Sequence, residues 1–181
     1  LIARVRGRLL LADALPLAAV ALPAVLTNVA TPFANAYVTR AMAAFGDGAV
    51  AGWAIIGRIM PVAFGAIFTL SGTIGPIVGQ NYGGGAFQRM RHAFTLSLWV
   101  TAAFTLVAWG VLAILAQPLA DVFLATGDAE RLILLFCRWL APLFAFLGAL
   151  FVSNAVFNTL KRAHVSTMLN WGRATLGTIP F

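Results

Sequence analysis

Acidic side chains are nearly missing from this sequence: 5 among 181 residues. None of them (Asp13, Asp47, Asp121, Asp128, Glu130) falls in the middle of a long apolar run. Ion coupling inside a membrane usually needs an embedded carboxylate, so any such group is expected outside these residues. Cysteine is limited to Cys137. That excludes an intrachain disulfide framework and a cysteine-based structural metal site, and it leaves Cys137 as a small apolar side chain in a helix. His92 and His164 stand beside basic residues with no Cys, Asp or Glu at ligand spacing, so no metal site is expected. No serine sits in a Gly-x-Ser-x-Gly turn. The chain therefore reads as no enzyme, with no cofactor.

What the sequence has is apolar surface. Hydrophobic residues make up 61% and charged residues 9%, against about 25% charged in a soluble domain. Charge-free stretches lie between Asp13 and Arg40, Arg58 and Arg89, His92 and Asp121, and Arg138 and Lys161. Each exceeds the about 20 residues that cross the hydrocarbon core of a bilayer. The first run is also too long for the apolar region of a signal peptide. The fold class is thus all-α, a polytopic membrane helix bundle, with helices expected at about 14–44, 50–80, 92–117, 130–160 and 165–181. The last run stops while still apolar, so residues 1–181 are read as a single, incomplete transmembrane region of a longer chain.

A net charge of +7 raises the question of nucleic acid, but the basic residues form no continuous patch. Arg4, Arg6 and Arg8 precede the first run, Arg89 and Arg91 separate the second from the third, and Lys161 and Arg162 separate the fourth from the fifth. All three clusters fall on one side, which the positive-inside rule makes cytoplasmic. Asp47, Asp121, Asp128 and Glu130 mark the other side, together with Arg40, Arg58, Arg131 and Arg138. The expected location is a bacterial cytoplasmic (inner) membrane with the N-terminus and the Gly83–His92 loop inside. Membrane lipid, not nucleic acid, is the expected partner.

The segment GPIVGQNYGGG, Gly75 to Gly85, looks at first like a phosphate cradle. It matches neither common phosphate-loop pattern, and a long uncharged run precedes it where a short strand is required. With the run before it, it forms the series Ser71, Gly75 and Gly79 and the heptad series Gly65, Gly72 and Gly79, which instead allow close approach of a neighbouring helix.

Polar residues form stripes on otherwise apolar helices. Asn28, Thr31, Asn35 and Thr39 stack along one face of the first, and Thr69, Thr73 and Gln80 along the second. Ser97, Thr101 and Thr105 mark the third, and Ser153, Asn154 and Asn158 the fourth. An amide in hydrocarbon needs a partner or water, so these residues either join helices or face a solvated interior. Asn28, Thr31, Asn35, Thr39, Thr69, Thr73, Ser153, Asn154 and Asn158 are the candidate substrate-pathway residues. Arg58 is read as a hydrogen-bond hub or a pathway residue, and Arg173 is a second embedded charge.

Three segments carry a resemblance: LPAVLTNVATPFANAYVTRAMAAFGDGAVAGWAIIGRI, SGTIGPIVGQNYGGGAFQRMRHA and VFNTLKRAHVSTMLNWGR. Together they resemble the multidrug and toxic compound extrusion (MATE) transporters over nearly the whole chain. The most specific parts are the FGDGAVA turn with its following GRI, and the GPIVGQN loop. The resemblance implies a twelve-helix transporter of two six-helix lobes, of which this chain supplies about five spans of the second (C-terminal) lobe. The missing N-terminal lobe of the same chain is then a partner. It implies antiport export of amphipathic or cationic drugs and toxic organic compounds by alternating access, with small organic cations as partners and Na+ or H+ as coupling ion. Some members hold a cation on acidic residues of the first and fourth helices of that lobe. Here those helices carry Asn28, Asn35, Asn154 and Asn158, so the coupling site is expected outside this segment. Gly79 to Gly85 would be the cytoplasmic turn between helices eight and nine. A flippase of lipid-linked substrates with the same fold, and a non-transporting membrane scaffold subunit, are the alternatives.

Overall fold

The structure is a computed structural model, and it describes residues 7–176. Arg4 and Arg6, and the side chains of Arg8, Pro16 and Pro23, lie outside the described residues. Among the described residues six α-helices follow one another: α1 (Gly7–Ala43), α2 (Asp47–Gly83), α3 (Phe87–Val122), α4 (Asp128–Leu135), α5 (Phe144–Thr159) and α6 (Ala163–Thr175). A π-helical turn, Phe136–Leu140, and a 3₁₀ turn, Ala141–Leu143, join α4 to α5. No strand occurs among the described residues. Asp47–Gly83, Phe87–Val122 and Asp128–Thr159 each have the length and hydropathy of a membrane span. Helices α2 and α3 outrun the expected 50–80 and 92–117 at both ends, and the single helix expected at 130–160 is divided into α4 and α5. At 1.5 Å per residue, the 37 residues of α2 extend roughly 55 Å, well beyond about 30 Å of hydrocarbon.

Helix α2 is the centre of the assembly. It packs on α3 along one side and on α4 and α5 along another, and α3 closes against α5. Ile56, Ile59, Phe64 and Ile67 of α2 meet Leu112 and Ala116 of α3, together with Ile133, Cys137 and Phe144 of the fourth span. Cys137 is a buried apolar member of this core. Helix α1 pairs mainly with α6 and touches α2 more lightly. The α1–α6 pair therefore leans against the α2–α3–α5 bundle.

Glycines set the closest approaches, though only one of the heptad series does. A methyl group on Gly75 or Gly79 would lie 3.1 Å from the Thr159 side chain, and one on Gly52 3.1 Å from the backbone of Ala129. Of the seven-residue series only Gly79 meets a neighbouring helix; Gly65 and Gly72 face no atom within 4 Å among the described residues. The expected turn at Gly79 to Gly85 also shifts. Residues up to Gly83 are helical, and the reversal occupies Gly84–Ala86, where Gly85 adopts φ +71° and Ala86 N–H donates to Asn81 O at 2.8 Å.

Two spans are bent for identifiable reasons. Pro61 removes a helical donor from α2, and three residues later Phe64 leaves helical geometry at φ −115°, ψ 15°. Pro142 deprives the Arg138 carbonyl of its donor four residues on. That carbonyl is satisfied from another helix, by Trp109 Nε1–H of α3 at 3.0 Å. The two bends meet, because the rings of Phe64 and Phe144 stack with centroids 4.0 Å apart and planes at 7°.

Candidate functional site

The gap between the α1–α6 pair and the central bundle holds a cavity of about 510 Å³. One wall is polar: Thr31, Asn35 and Thr39 of α1, spaced one helical turn apart, and Arg173 of α6. The other is apolar and largely aromatic, from Trp53, Met60 and Phe68 of α2 and Phe144 and Phe151 of α5. Gly57 and Pro61 also line it, and Pro61 removes the helical donor of the Gly57 carbonyl. Phe68 stands edge-on to Phe144 at 6.1 Å and tilts against Phe151 at 5.3 Å, so the aromatic wall is one packed surface.

Helix α6 supplies the polar side of the pair. Arg173 Nη2–H donates to Thr31 Oγ1 at 3.1 Å, and Trp171 Nε1–H donates to the Leu26 carbonyl at 3.0 Å. The hydroxyls of Thr27 and Thr167 bond at 2.9 Å. Toward α5, Ser166 Oγ–H donates to the Asn154 carbonyl at 3.2 Å, and Asn170 Nδ2–H to the Ser166 carbonyl at 2.8 Å. Ser166, Asn170 and Asn154 are all buried.

The candidate residues therefore separate. Thr31, Asn35 and Thr39 share the cavity, although the Thr39 hydroxyl is turned to the Asn35 carbonyl at 2.8 Å. Asn28 is exposed on the same helix and is not among the lining residues. Thr69 and Thr73 lie on another face of α2, in a groove with Thr101, and each hydroxyl donates to its own helix. Asn154 joins the α5–α6 seam, Ser153 is half-buried, and Asn158 is exposed near the end of α5. Arg58 borders an apolar groove between α2 and α3, away from the cavity. It makes no hydrogen bond or ion pair among the described residues, so it is not a hub there. The four polar stripes thus do not share one interior: the α1 stripe lines the cavity, Thr69 and Thr73 share a groove with Thr101, and Asn154 lies in the α5–α6 seam.

The α3 stripe illustrates the difference. Ser97, Thr101 and Thr105 are buried, and each hydroxyl donates to the carbonyl four residues earlier at 2.8 Å. A hydroxyl satisfied within its own helix is interchangeable with a methyl at small cost. Thr105→Val is expected to change the stability of the solubilised protein by under about 1 kcal/mol. Thermal unfolding checks this, and a loss of more than about 2 kcal/mol would mean that the Thr105 hydroxyl does more than bond its own helix.

Composition hid the aromatic wall. In a chain this apolar, Trp53 and Phe68 look like any lipid-facing ring. Arg173 was visible as a charge, but its pairing with Thr31 across α1 and α6 depends on tertiary placement.

The MatE family model matches residues 23–181. A protein of Pseudomonas savastanoi described as an uncharacterized 21 kDa protein in the iaaL 5' region is 40% identical over 119 residues, 66% of this chain and 39% of that protein. An FAD transporter of Shewanella oneidensis is 30% identical over 164 residues, 91% of this chain and 36% of that protein. The crystal structure of a mutant of VcmN, a MATE transporter of Vibrio cholerae, matches with a TM-score of 0.87 at 22% identity, over 94% of this chain and 39% of that one. The chain thus shares that fold and spans well under half the length of each protein it matches.

Proposed function

The chain belongs to the MatE family, and from that premise we propose that it forms most of one lobe of a two-lobe membrane exporter. The cargo is an amphipathic organic molecule, moved by alternating access against a Na+ or H+ gradient. The observation that carries this reading is the cavity of about 510 Å³ between the α1–α6 pair and the central bundle. A polar face of Thr31, Asn35 and Arg173 opposes an aromatic face of Trp53, Phe68 and Phe151. Such a surface suits a molecule with both an apolar body and a polar group. The Shewanella relative is named for FAD, a cargo with a large aromatic ring system. The second lobe of the fold is the assignment we favour for these helices, with the Gly84–Ala86 turn on the cytoplasmic side. The coupling carboxylate belongs to the remainder of the protein, since none lines this cavity.

The test is accumulation of a fluorescent amphipathic dye in efflux-deficient bacteria expressing the intact protein. Lower accumulation than with empty vector is expected, lost when the proton and sodium gradients are collapsed and reduced by Asn35→Ala. Equal accumulation with and without the protein, across several dyes, would sink the exporter reading and bring the scaffold reading forward.

A further inference from the structure

We propose that the groove at the Gly84–Ala86 end of α2 and α3 binds the phosphate headgroup of an anionic phospholipid, with an acyl chain lying along α3 toward Leu96 and Trp99. This goes beyond the exporter reading and does not depend on what the cavity carries. The groove measures about 840 Å³ and is lined by Arg89, Arg91 and His92 of α3, with Gln88 and Thr95 beside them and Asn81 of α2 at its edge. Its ionisable side chains are all basic, and all are exposed. No acid answers them. Arg89, Arg91 and His92 form no ion pair or side-chain hydrogen bond among the described residues. The acidic side chains among those described, Asp47, Asp121, Asp128 and Glu130, stand at the opposite end, where α2 begins, α3 stops and α4 begins.

Helix length puts these arginines at headgroup level. The 36 residues of α3 carry its ends roughly 27 Å from its middle, past the about 15 Å half-thickness of the hydrocarbon. Arg89 and Arg91 lie in its first five residues, where lipid phosphate is the anion at hand. The groove also changes character along the helix. Ala93 and Leu96 continue its wall toward the hydrocarbon; Leu96 is 53% exposed, and Trp99, about one turn further, 71%. Beside the reversal, the exposed rings of Tyr82 and Phe87 pack edge-on with centroids 5.9 Å apart, a placement aromatic side chains favour at a bilayer edge. Guanidinium groups above a strip of exposed apolar side chains match a molecule that joins a phosphate to acyl chains. A free phosphate would use the arginines and gain nothing from Leu96 and Trp99.

Lys161 and Arg162 supply the control. They are exposed at the same end of the bundle, since Thr159 meets Gly75 and Gly79 of α2, and they do not line the groove. The experiment follows lipid retention by the intact protein in a neutral detergent, using native mass spectrometry as dioleoylphosphatidylglycerol or dioleoylphosphatidylcholine is added. Phosphatidylglycerol is expected to bind at least about 10-fold tighter than phosphatidylcholine. A basic residue facing an anionic headgroup contributes roughly 5-fold, so Arg89→Gln with Arg91→Gln is expected to weaken phosphatidylglycerol about 10-fold or more. Arg89→Lys with Arg91→Lys keeps the charge and stays within a few-fold. Lys161→Gln with Arg162→Gln changes the affinity by less than about 2-fold. Both arginines of the groove are exposed, so glutamine requires no repacking; if the double variant unfolds, Arg89→Gln and Arg91→Gln singly decide the question by a loss of roughly 5-fold each. Equal retention of the two lipids by the wild type overturns the site. Equal weakening by the two Gln pairs does so as well, because it would mean diffuse surface charge. Sodium phosphate and glycerol phosphate at millimolar concentration are expected to leave the lipid bound, and displacement by either overturns the lipid assignment in favour of a soluble phosphate.

Discussion

Gly148→Ala is expected to lower the stability of the solubilised intact protein by about 1–3 kcal/mol, the usual cost of forcing a methyl into a packed core. A Cβ at this position would lie 2.5 Å from Thr101 Cγ2 and 2.9 Å from Ile67 Cγ2, where carbon atoms prefer roughly 3.5–4.0 Å. Neither neighbour yields easily. Thr101 is β-branched, buried, and held by its hydroxyl to the Ser97 carbonyl at 2.8 Å, so rotating its methyl away breaks a hydrogen bond. Ile67 is 1% exposed within the central cluster. Three helices converge here, which is why a residue with no side chain is needed. Thr101→Ser deletes the clashing methyl and keeps the hydroxyl. In the double variant Gly148→Ala, Thr101→Ser, most of the lost stability should return, leaving the Ile67 contact as the remainder. Thermal unfolding of the four proteins of this cycle measures the coupling. Strict additivity would mean that the helices separate to admit the methyl, contradicting the tight α3–α5 crossing.

Much of this architecture was legible in the sequence, and the reason is the solvent. Charge-free runs bounded by Asp, Arg and Gly read as long helices in a bilayer, so the order of the helical runs follows from counting, though not the division of the fourth into α4 and α5. The basic clusters at Arg89, Arg91, Lys161 and Arg162 mark helix ends for the same reason. The break at Pro142 was readable as a bend, but not the π-helical turn before it or the Trp109 indole that caps the freed Arg138 carbonyl. Those depend on which helix is adjacent. The site was legible by half. The α1 stripe reached the cavity at Thr31, Asn35 and Thr39, yet the equally regular α2 and α3 stripes did not. Periodicity places polar residues on one face of a helix without saying what that face meets. On α3 it meets other helices, where a Thr or Ser satisfied by its own backbone packs much as Val does. On α1 it meets α6, whose Arg173 gives the face a charge to organise around.

Phe64→Ala is expected to have the largest effect, because Phe64 sits where two bent helices hold each other. Its side chain is fully buried, and its ring stacks on Phe144, the first residue of α5 after the irregular turns of the fourth span. Phe144 in turn packs edge-on against Phe68 of the cavity wall. Where lipid rather than water surrounds the bundle, burial of apolar area between helices contributes little, and the lost contacts are chiefly dispersion. The expected cost is therefore about 3 kcal/mol, at the lower end for removing a buried phenylalanine. Phe64→Leu fills most of the volume without the aromatic stack and should cost about 0.5–1.5 kcal/mol. Cys137 provides an internal gauge, since it is fully buried in the same cluster. Its alkylation, followed by mass spectrometry of the intact protein, should be slow in the wild type and in Phe64→Leu. In Phe64→Ala it should rise about 10-fold or more, as the interface between α2 and the fourth span opens more often. On the proposed exporter function, dye export should fall in the same order of variants, because Phe68 and Phe144 carry the disturbance into the cavity wall. If Phe64→Ala and Phe64→Leu unfold at the same temperature and Cys137 reacts equally slowly in both, the stacked rings do not join the two bends. Each bend would then be held by its own proline alone.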